Sequence, residues 1–246
     1  MRTDFREHGF LVISDVLTGD QLVFGRKVVA AMLAKKPHAE DHVGAYFLWP
    51  AFDHGGEHRL LDLYRQAGIG ELASQLIRQG LTVDEPDFAQ VATTIPPWPH
   101  RPGGPHVDGL TPPLPDGTPG TFTMLAGLWL TDQAELNRGN LWIWPGTHLR
   151  FGEYLAEHGA DALTRLDEMN PGPYPKIDLG EPIQASGSAG SVLFVHYLLA
   201  HNLGGHDGPA DDDRRETIYY RLHATGHRAR WRDTVTNPLT EFRIPE

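Results

Sequence analysis

The sequence predicts a mainly β fold with flanking α-helices: a double-stranded β-helix, or cupin-like jelly roll, with N-terminal helices packed on one sheet. Three observations predict it. Long helical patterns are concentrated in the first third of the chain. Short runs rich in β-branched and aromatic residues, separated by Gly/Pro turns, fill most of the remainder. No internal repeat or second composition interrupts them, so residues 1–246 are expected to form a single domain of a size common for sandwiches and barrels.

The elements follow in order. Phe10-Leu11-Val12-Ile13, after Gly9, is a short apolar run that reads as a strand. Thr18, with Gln21 three residues on, is a capping box that opens a helix from Gly19 to Lys35. Lys35-Lys36 suit its negative C-terminal end, and Pro37 stops it. Between His38 and Gly56 the pattern is lost, although Tyr46-Phe47-Leu48-Trp49 is too apolar for a purely solvated loop. Leu60, Leu61, Leu63 and Tyr64, then Leu72, Leu76 and Ile77, are helical turns that need a surface to cover. Phe88 to Ile95 is strand-like and closed by Pro96-Pro97. Nine prolines between Pro96 and Gly120 exclude regular structure there. Thr121 to Leu130 is a further strand, and Asn137-Arg138-Gly139-Asn140 turns the chain into Leu141-Trp142-Ile143-Trp144. Pro145-Gly146-Thr147-His148 ends that strand, with His148 bracing the turn. A helical patch (Tyr154, Leu155, Leu163, Leu166) and a Pro/Gly-rich excursion through Pro175 come next. Gly187 to Gly190 turns into the buried run Ser191-Val192-Leu193-Phe194-Val195, and Arg215 to Leu222 is the last strand. The segments from Pro96 to Gly120 and from Phe151 to Pro175 are expected to frame the mouth of the barrel as lids.

Composition narrows the chemistry. A net charge of -11 argues against nucleic acid or an anionic membrane as partner. No apolar run reaches the length of a membrane span, and the N-terminus has no apolar signal core, so a cytoplasmic location is expected. With no cysteine, disulfides, thiolate metal sites and thiol nucleophiles are excluded, and any metal must be held by His and carboxylates. In His106-Val107-Asp108, extended backbone would point the imidazole and the carboxylate the same way. The pair is two-thirds of a 2-His-1-carboxylate site for non-haem Fe(II). The only other His-x-acid pair, His38-Ala39-Glu40, lies in a polar loop after Pro37. Downstream, His196, His201 and His206 are candidates for the third ligand, and the Arg214-Arg215 pair at the entrance of a strand could clamp a carboxylate. Strand parity sets Arg215, Thr217, Tyr219 and Arg221 on one polar face. It sets Arg214, Glu216, Ile218, Tyr220 and Leu222 on the other, whose apolar stripe suits packing beneath the helices. Trp142 and Trp144 are expected to pack, and Arg228, Arg230 and Arg232 to form a solvated charged face.

Four segments in order resemble the phytanoyl-CoA dioxygenase family of Fe(II)/2-oxoglutarate-dependent oxygenases. Phe5 to Ile13 looks like its opening helix and strand, His106-Val107-Asp108-Gly109 like its H-x-D-[GS] motif, and Gly139 to His148 like its N-G-x-L-x-x-x-P-G-[ST]-H segment. Gly190 to His196, then Leu199-Ala200-His201 and Arg215, resembles its distal-histidine and arginine block. The resemblance implies His106, Asp108 and His201 as metal ligands, with Arg215, Trp129 and Thr217 as contacts of 2-oxoglutarate. His196 then becomes a core histidine. It implies Fe(II), 2-oxoglutarate and dioxygen as the reacting set, and oxidation of a small-molecule substrate with release of succinate and CO2. Because Asp108 keeps the carboxylate that halogenases of this type replace, hydroxylation is expected. The chain departs from the family at Leu203, where a small polar residue is usual, at Ile95, where Lys is common, and in a longer gap before Arg215. No strong basic patch suits CoA phosphates, which favours a small metabolite over an acyl-CoA. The other readings are a catalytically silent jelly-roll binding protein and a cupin-like metalloenzyme that does not use 2-oxoglutarate.

Overall fold

Side-chain alternation on the central strands sets the architecture. The structure is a computed structural model and describes residues 2–52, 58–99, 101–109, 114–164, 175–210 and 213–242. In chain order the elements are α1 (Arg2–His8), β1 (Phe10–Ile13), α2 (Gly19–Lys35), β2 (Gly44–Leu48), α3 (His58–Gln66), α4 (Ile69–Ser74), β3 (Ala89–Ile95) and β4 (Met124–Trp129). They continue with β5 (Trp142–Ile143), α5 (Thr147–His158), β6 (Ile183–Gln184), β7 (Val192–His196), β8 (His201–Asn202), β9 (Arg215–Leu222) and α6 (His227–Thr236). The major sheet has the order β1-β7-β4-β9-β3-β2, antiparallel throughout, and the minor sheet the order β6-β5-β8. The two sheets form the jelly roll that the turn-punctuated strands predict.

One face of the major sheet buries Val192 and Phe194 of β7, Met124, Ala126 and Leu128 of β4, and Ile218, Tyr220 and Leu222 of β9. Val28, Val29 and Leu33 of α2 and Leu60 and Leu63 of α3 pack on it. The residues between them, Leu193, Val195, Leu125, Trp129 and Tyr219, turn inward to a second core with Ile143, Phe151 and Trp231. This period-two split is the physical reason a β9 side chain lies either under the helices or in the barrel. The Tyr220 hydroxyl donates to the Leu60 carbonyl at 2.8 Å, tying α3 to the sheet.

Helix α2 begins at the capping box read from the sequence. The Gln21 N–H donates to the Thr18 hydroxyl at 3.3 Å and the Thr18 N–H to the Gln21 side chain at 2.8 Å. Two elements differ from expectation. Gly44–Leu48 is a strand, β2, because its apolar residues pair along β3 at the sheet edge. The stretch from Thr147 to His158 is a helix, α5, with Phe151 and Leu155 fully buried, so that part of the Phe151–Pro175 segment is core and not lid. The rest of that expectation touches 165–174, including Leu166, and the other lid touches 100 and 110–113; these lie outside the described residues. The C-terminal basic cluster lies on α6 and is paired: Arg228 to Asp87 at 2.8 Å, Arg230 to Glu241 at 3.0 Å and Arg232 to Asp161 at 2.7 Å. Among the described residues no helix is long and apolar enough to cross a membrane.

Candidate metal centre

His201 opens β8, where backbone contacts hold it on both sides. It pairs with Ile143 of β5, and a two-way bridge joins it to His106: the His106 N–H donates to the His201 carbonyl at 3.1 Å, and the His201 N–H to the His106 carbonyl at 3.3 Å. Two imidazoles about a hundred residues apart are thereby set side by side, with ring centroids 4.6 Å apart. Asp108 completes the group. Its Oδ1 lies 3.6 Å from His106 Nε2 and 3.9 Å from His201 Nε2, and one donor atom from each of the three falls within 4.8 Å of the others. Among the described residues this is the one His/acid group with metal-ligand spacing.

Protonation favours the ligand forms. The His201 Nδ1–H donates to the Leu199 carbonyl at 2.9 Å, which leaves the Nε2 lone pair facing Asp108. Burial, with His106 beside it, lowers the His201 pKa to about 4, so the ring is neutral at pH 7. Burial alone would push Asp108 up, but His106, His201 and Arg221 outweigh it and hold the carboxyl below its usual range. Arg221 Nη2 is 3.3 Å from Asp108 Oδ2. Two imidazoles and one carboxylate, all hard or borderline donors, fit a divalent first-row metal with positions left open.

The other histidines are engaged elsewhere. Leu198 N–H donates to His196 Nδ1 at 3.0 Å and His196 Nε2 meets the Pro238 carbonyl at 2.8 Å. Gly208 N–H donates to His206 Nδ1 at 3.2 Å and His206 Nε2 meets the Asp213 carbonyl at 3.0 Å. His148 is buried on Arg6, its Nε2 meeting the carbonyl at 3.0 Å, and its ring centroid lies 4.8 Å from that of His196.

A cavity of about 310 Å³ opens on the triad, walled by Phe47, Trp49, Leu125, Leu141, Leu203 and Tyr219. Leu203 thus puts an apolar wall where a small polar group was the family expectation. Arg215 stands behind Tyr219. Its Nη2 donates to the Tyr219 hydroxyl and its Nε to Gln133 Oε1 at 3.4 Å, while Gln133 Nε2 donates to Thr217 Oγ1 at 3.1 Å. Two glycines make room. A Cβ on Gly127 would sit 2.6 Å from the Tyr219 ring, and one on Gly139 would sit 2.9 Å from Arg215 Cβ. Arg215 Nη1, Trp129 Nε1 and Thr94 Oγ1 are buried without a hydrogen-bond partner. They belong to one face of adjacent strands, where Thr94 is opposite Arg215 and Trp129 opposite Thr217. Buried donors rarely stay unpaired, so this cluster fits an acceptor-rich anion such as a carboxylate. A larger cavity of about 450 Å³ lies on the far side of Arg215, among Arg26, Thr131, Asp132 and Arg138, but the triad does not face it.

The family model for phytanoyl-CoA dioxygenase (PhyH) matches residues 5–215. The chain belongs to the phytanoyl-CoA dioxygenase family. No curated protein matches it. Among solved structures it is similar to the non-heme alpha ketoglutarate dependent carbocyclase SnoK from nogalamycin biosynthesis, with a TM-score of 0.58 and 21% identity over 90% of this chain and 81% of that one. It is similar to the epimerase SnoN from the same biosynthesis, with a TM-score of 0.56 and 18% identity over 90% and 81%. HygX from Streptomyces hygroscopicus, solved with nickel and 2-oxoglutarate, gives a TM-score of 0.53 and 15% identity over 91% and 86%. At these identities the likeness establishes the shared fold.

For this family member, motif reading missed several residues of the site. Thr94 and Gln90 share the inward face with Arg215 and Tyr219, which strand parity had already placed there, and register along β3 and β9 is the signal that finds them. Gln133 and Trp49 lie on connections, and no local pattern marks them.

Proposed function

We propose that this chain is a non-haem Fe(II)- and 2-oxoglutarate-dependent dioxygenase that hydroxylates a small-molecule metabolite, releasing succinate and CO2. The observation that carries the reading is the convergence of His106, Asp108 and His201 at one end of a cavity whose wall leads through Tyr219 to the buried Arg215. Those three would hold the iron, which with 2-oxoglutarate and dioxygen supplies oxidative decarboxylation coupled to oxidation of a C–H bond.

The chain's own residues bind, orient and exclude. His201 keeps its Nε2 lone pair available because its Nδ1 proton is committed to Leu199. Asp108 stays ionised and neutralises charge at the centre. Arg215, assisted by Tyr219, Thr217 and the Trp129 indole N–H, takes the distal carboxylate of 2-oxoglutarate, which fixes the cosubstrate's direction in the cavity. Phe47, Leu125, Leu141 and Leu203 keep water from the reacting end. Asp108 supports hydroxylation, since a carboxylate occupies the position that chloride would need. Arg228, Arg230 and Arg232 are each paired with a carboxylate, so this cluster is not free to hold a CoA phosphate, which supports a smaller substrate. The 2-oxoglutarate reported in HygX is consistent with this assignment.

The test is succinate formation from 2-oxoglutarate with Fe(II) in air, measured with and without candidate metabolites. The wild type is expected to form succinate, Asp108→Ala to lose Fe(II) binding or all turnover, and His206→Ala to retain both. A wild type silent at every Fe(II) concentration, or an Asp108→Ala variant as active as the wild type, defeats the proposal.

A further inference from the structure

The two oxygens of Asp108 have different surroundings. Oδ1 faces the imidazoles, 3.6 Å from His106 Nε2 and 3.9 Å from His201 Nε2, whereas Oδ2 lies 3.3 Å from Arg221 Nη2. Arg221 comes from β9, on the same inward face as Arg215 and Tyr219 but at the opposite end of the strand, opposite Leu125. Among the described residues Asp108 is the one carboxylate that pairs with it.

A long flexible side chain holds a carboxylate well only if it is itself held. Three rings do this. The guanidinium carbon lies 5.8 Å from the Trp49 ring centroid, 5.5 Å from that of Phe88 and 5.3 Å from that of Phe122. Trp49 and Phe88 contact each other at 6.2 Å, so two of the rings brace one another.

The consequence concerns coordination number. An aspartate can bind a metal through one oxygen or both, and each oxygen used removes a position from an octahedral ion. Three one-atom protein ligands leave three positions, enough for a chelating 2-oxo acid and dioxygen. A chelating Asp108 would leave two. We propose that Arg221 is a positioning residue: by holding Oδ2 it restricts Asp108 to Oδ1 and keeps the third position open. This rests on the reading of His106, Asp108 and His201 as an iron site, and adds to it a residue outside the ligand set.

The experiment uses the full chain, loaded anaerobically with Co(II) as a spectroscopic stand-in for iron. Visible absorption of the bound Co(II) is recorded for the wild type, Arg221→Met, Arg221→Lys and Trp49→Ala, and 2-oxoglutarate is then titrated in. Arg221→Met is expected to take up one Co(II) but to show an altered spectrum before 2-oxoglutarate is added, and to bind 2-oxoglutarate about ten- to a hundredfold more weakly. Arg221→Lys, which keeps the charge and a donor, should recover most of that loss. Trp49→Ala, which loosens one side of the clamp at a half-exposed position, should shift the spectrum in the same direction by less.

A wild-type spectrum and wild-type 2-oxoglutarate affinity in Arg221→Met overturn the proposal. So does an Arg221→Lys variant as impaired as Arg221→Met while melting normally in the apo form. If Arg221→Met does not fold, Trp49→Ala decides, and unchanged 2-oxoglutarate binding there overturns the idea. A wild type that binds Co(II) without responding to 2-oxoglutarate, or binds no Co(II), overturns the iron-site reading itself and this inference with it.

Discussion

Arg214 and Arg215 are neighbours in sequence with opposite surroundings. Arg215 is 1% exposed, on the inward face, with Nη1 unpaired. Arg214 is about a third exposed and pairs with Glu216 at 2.8 Å on the helix side. Removing one partner of a buried charge pair costs about 3–5 kcal/mol. At about 1.4 kcal/mol per tenfold, Arg215→Ala should weaken 2-oxoglutarate binding at least about a hundredfold. Arg214→Ala should leave that affinity nearly unchanged and act on stability instead, because burial already pushes the Glu216 carboxyl up and Arg214 is its nearest cation. Anaerobic titration of 2-oxoglutarate into both metal-loaded variants separates them. A large loss in Arg214→Ala with Arg215→Ala near wild type would reverse the two roles.

At the scale of elements, β7 ends on a histidine that makes the fold sensitive to acid. His196 accepts from the Leu198 N–H on Nδ1 and donates from Nε2 to the Pro238 carbonyl, so the neutral ring satisfies both neighbours. A second proton would sit on Nδ1, against a donor. Burial accordingly lowers its pKa from 6.5 to about 4. A depressed histidine contributes stability that is fully present above its unfolded pKa and is lost as pH falls toward its folded one. The window here is therefore about pH 6.5 to 4, and at 1.36 kcal/mol per unit the loss is about 3 kcal/mol. Melting of the apo protein at pH 7 and at pH 4.5 should show it. His196→Asn should be less stable than wild type at pH 7 yet lose less between the two. An equal drop in both proteins would assign the acid sensitivity to other buried groups, of which His148, His201 and His223 are the nearest in kind.

The whole molecule divides into a helix-covered core and a barrel core on opposite faces of the major sheet. Leu63 of α3 is fully buried in the first, and the triad opens onto the second. Leu63→Ala should therefore cost about 2–5 kcal/mol of stability. Cosubstrate affinity of the folded protein should stay within about twofold, as distant sites act independently. Denaturant melts and 2-oxoglutarate titration of the same preparation test both halves. A tenfold loss of affinity with intact folding would mean that the helical layer shapes the site.

Local physics made much of this legible. Capping at Thr18, proline stops, the glycine turns and the two-residue alternation of β4, β7 and β9 are decided by residues within a few positions of one another. Sequence therefore determined the fold class, the inward face of Arg215 and the His106-Asp108 pair, while ordered motifs singled out His201 among three histidines. It did not determine β2, whose strand exists only because β3 lies beside it, or the full extent of α5, where Phe151 and Leu155 are held by the barrel core. Nor could it join Arg221 to Asp108, Trp49 to Arg221, or Thr94 to the face of Arg215 and Trp129. Those contacts join positions up to about 170 residues apart and depend on the register of β3, β9 and β4. Register is a property of paired strands, so only the tertiary structure decided it.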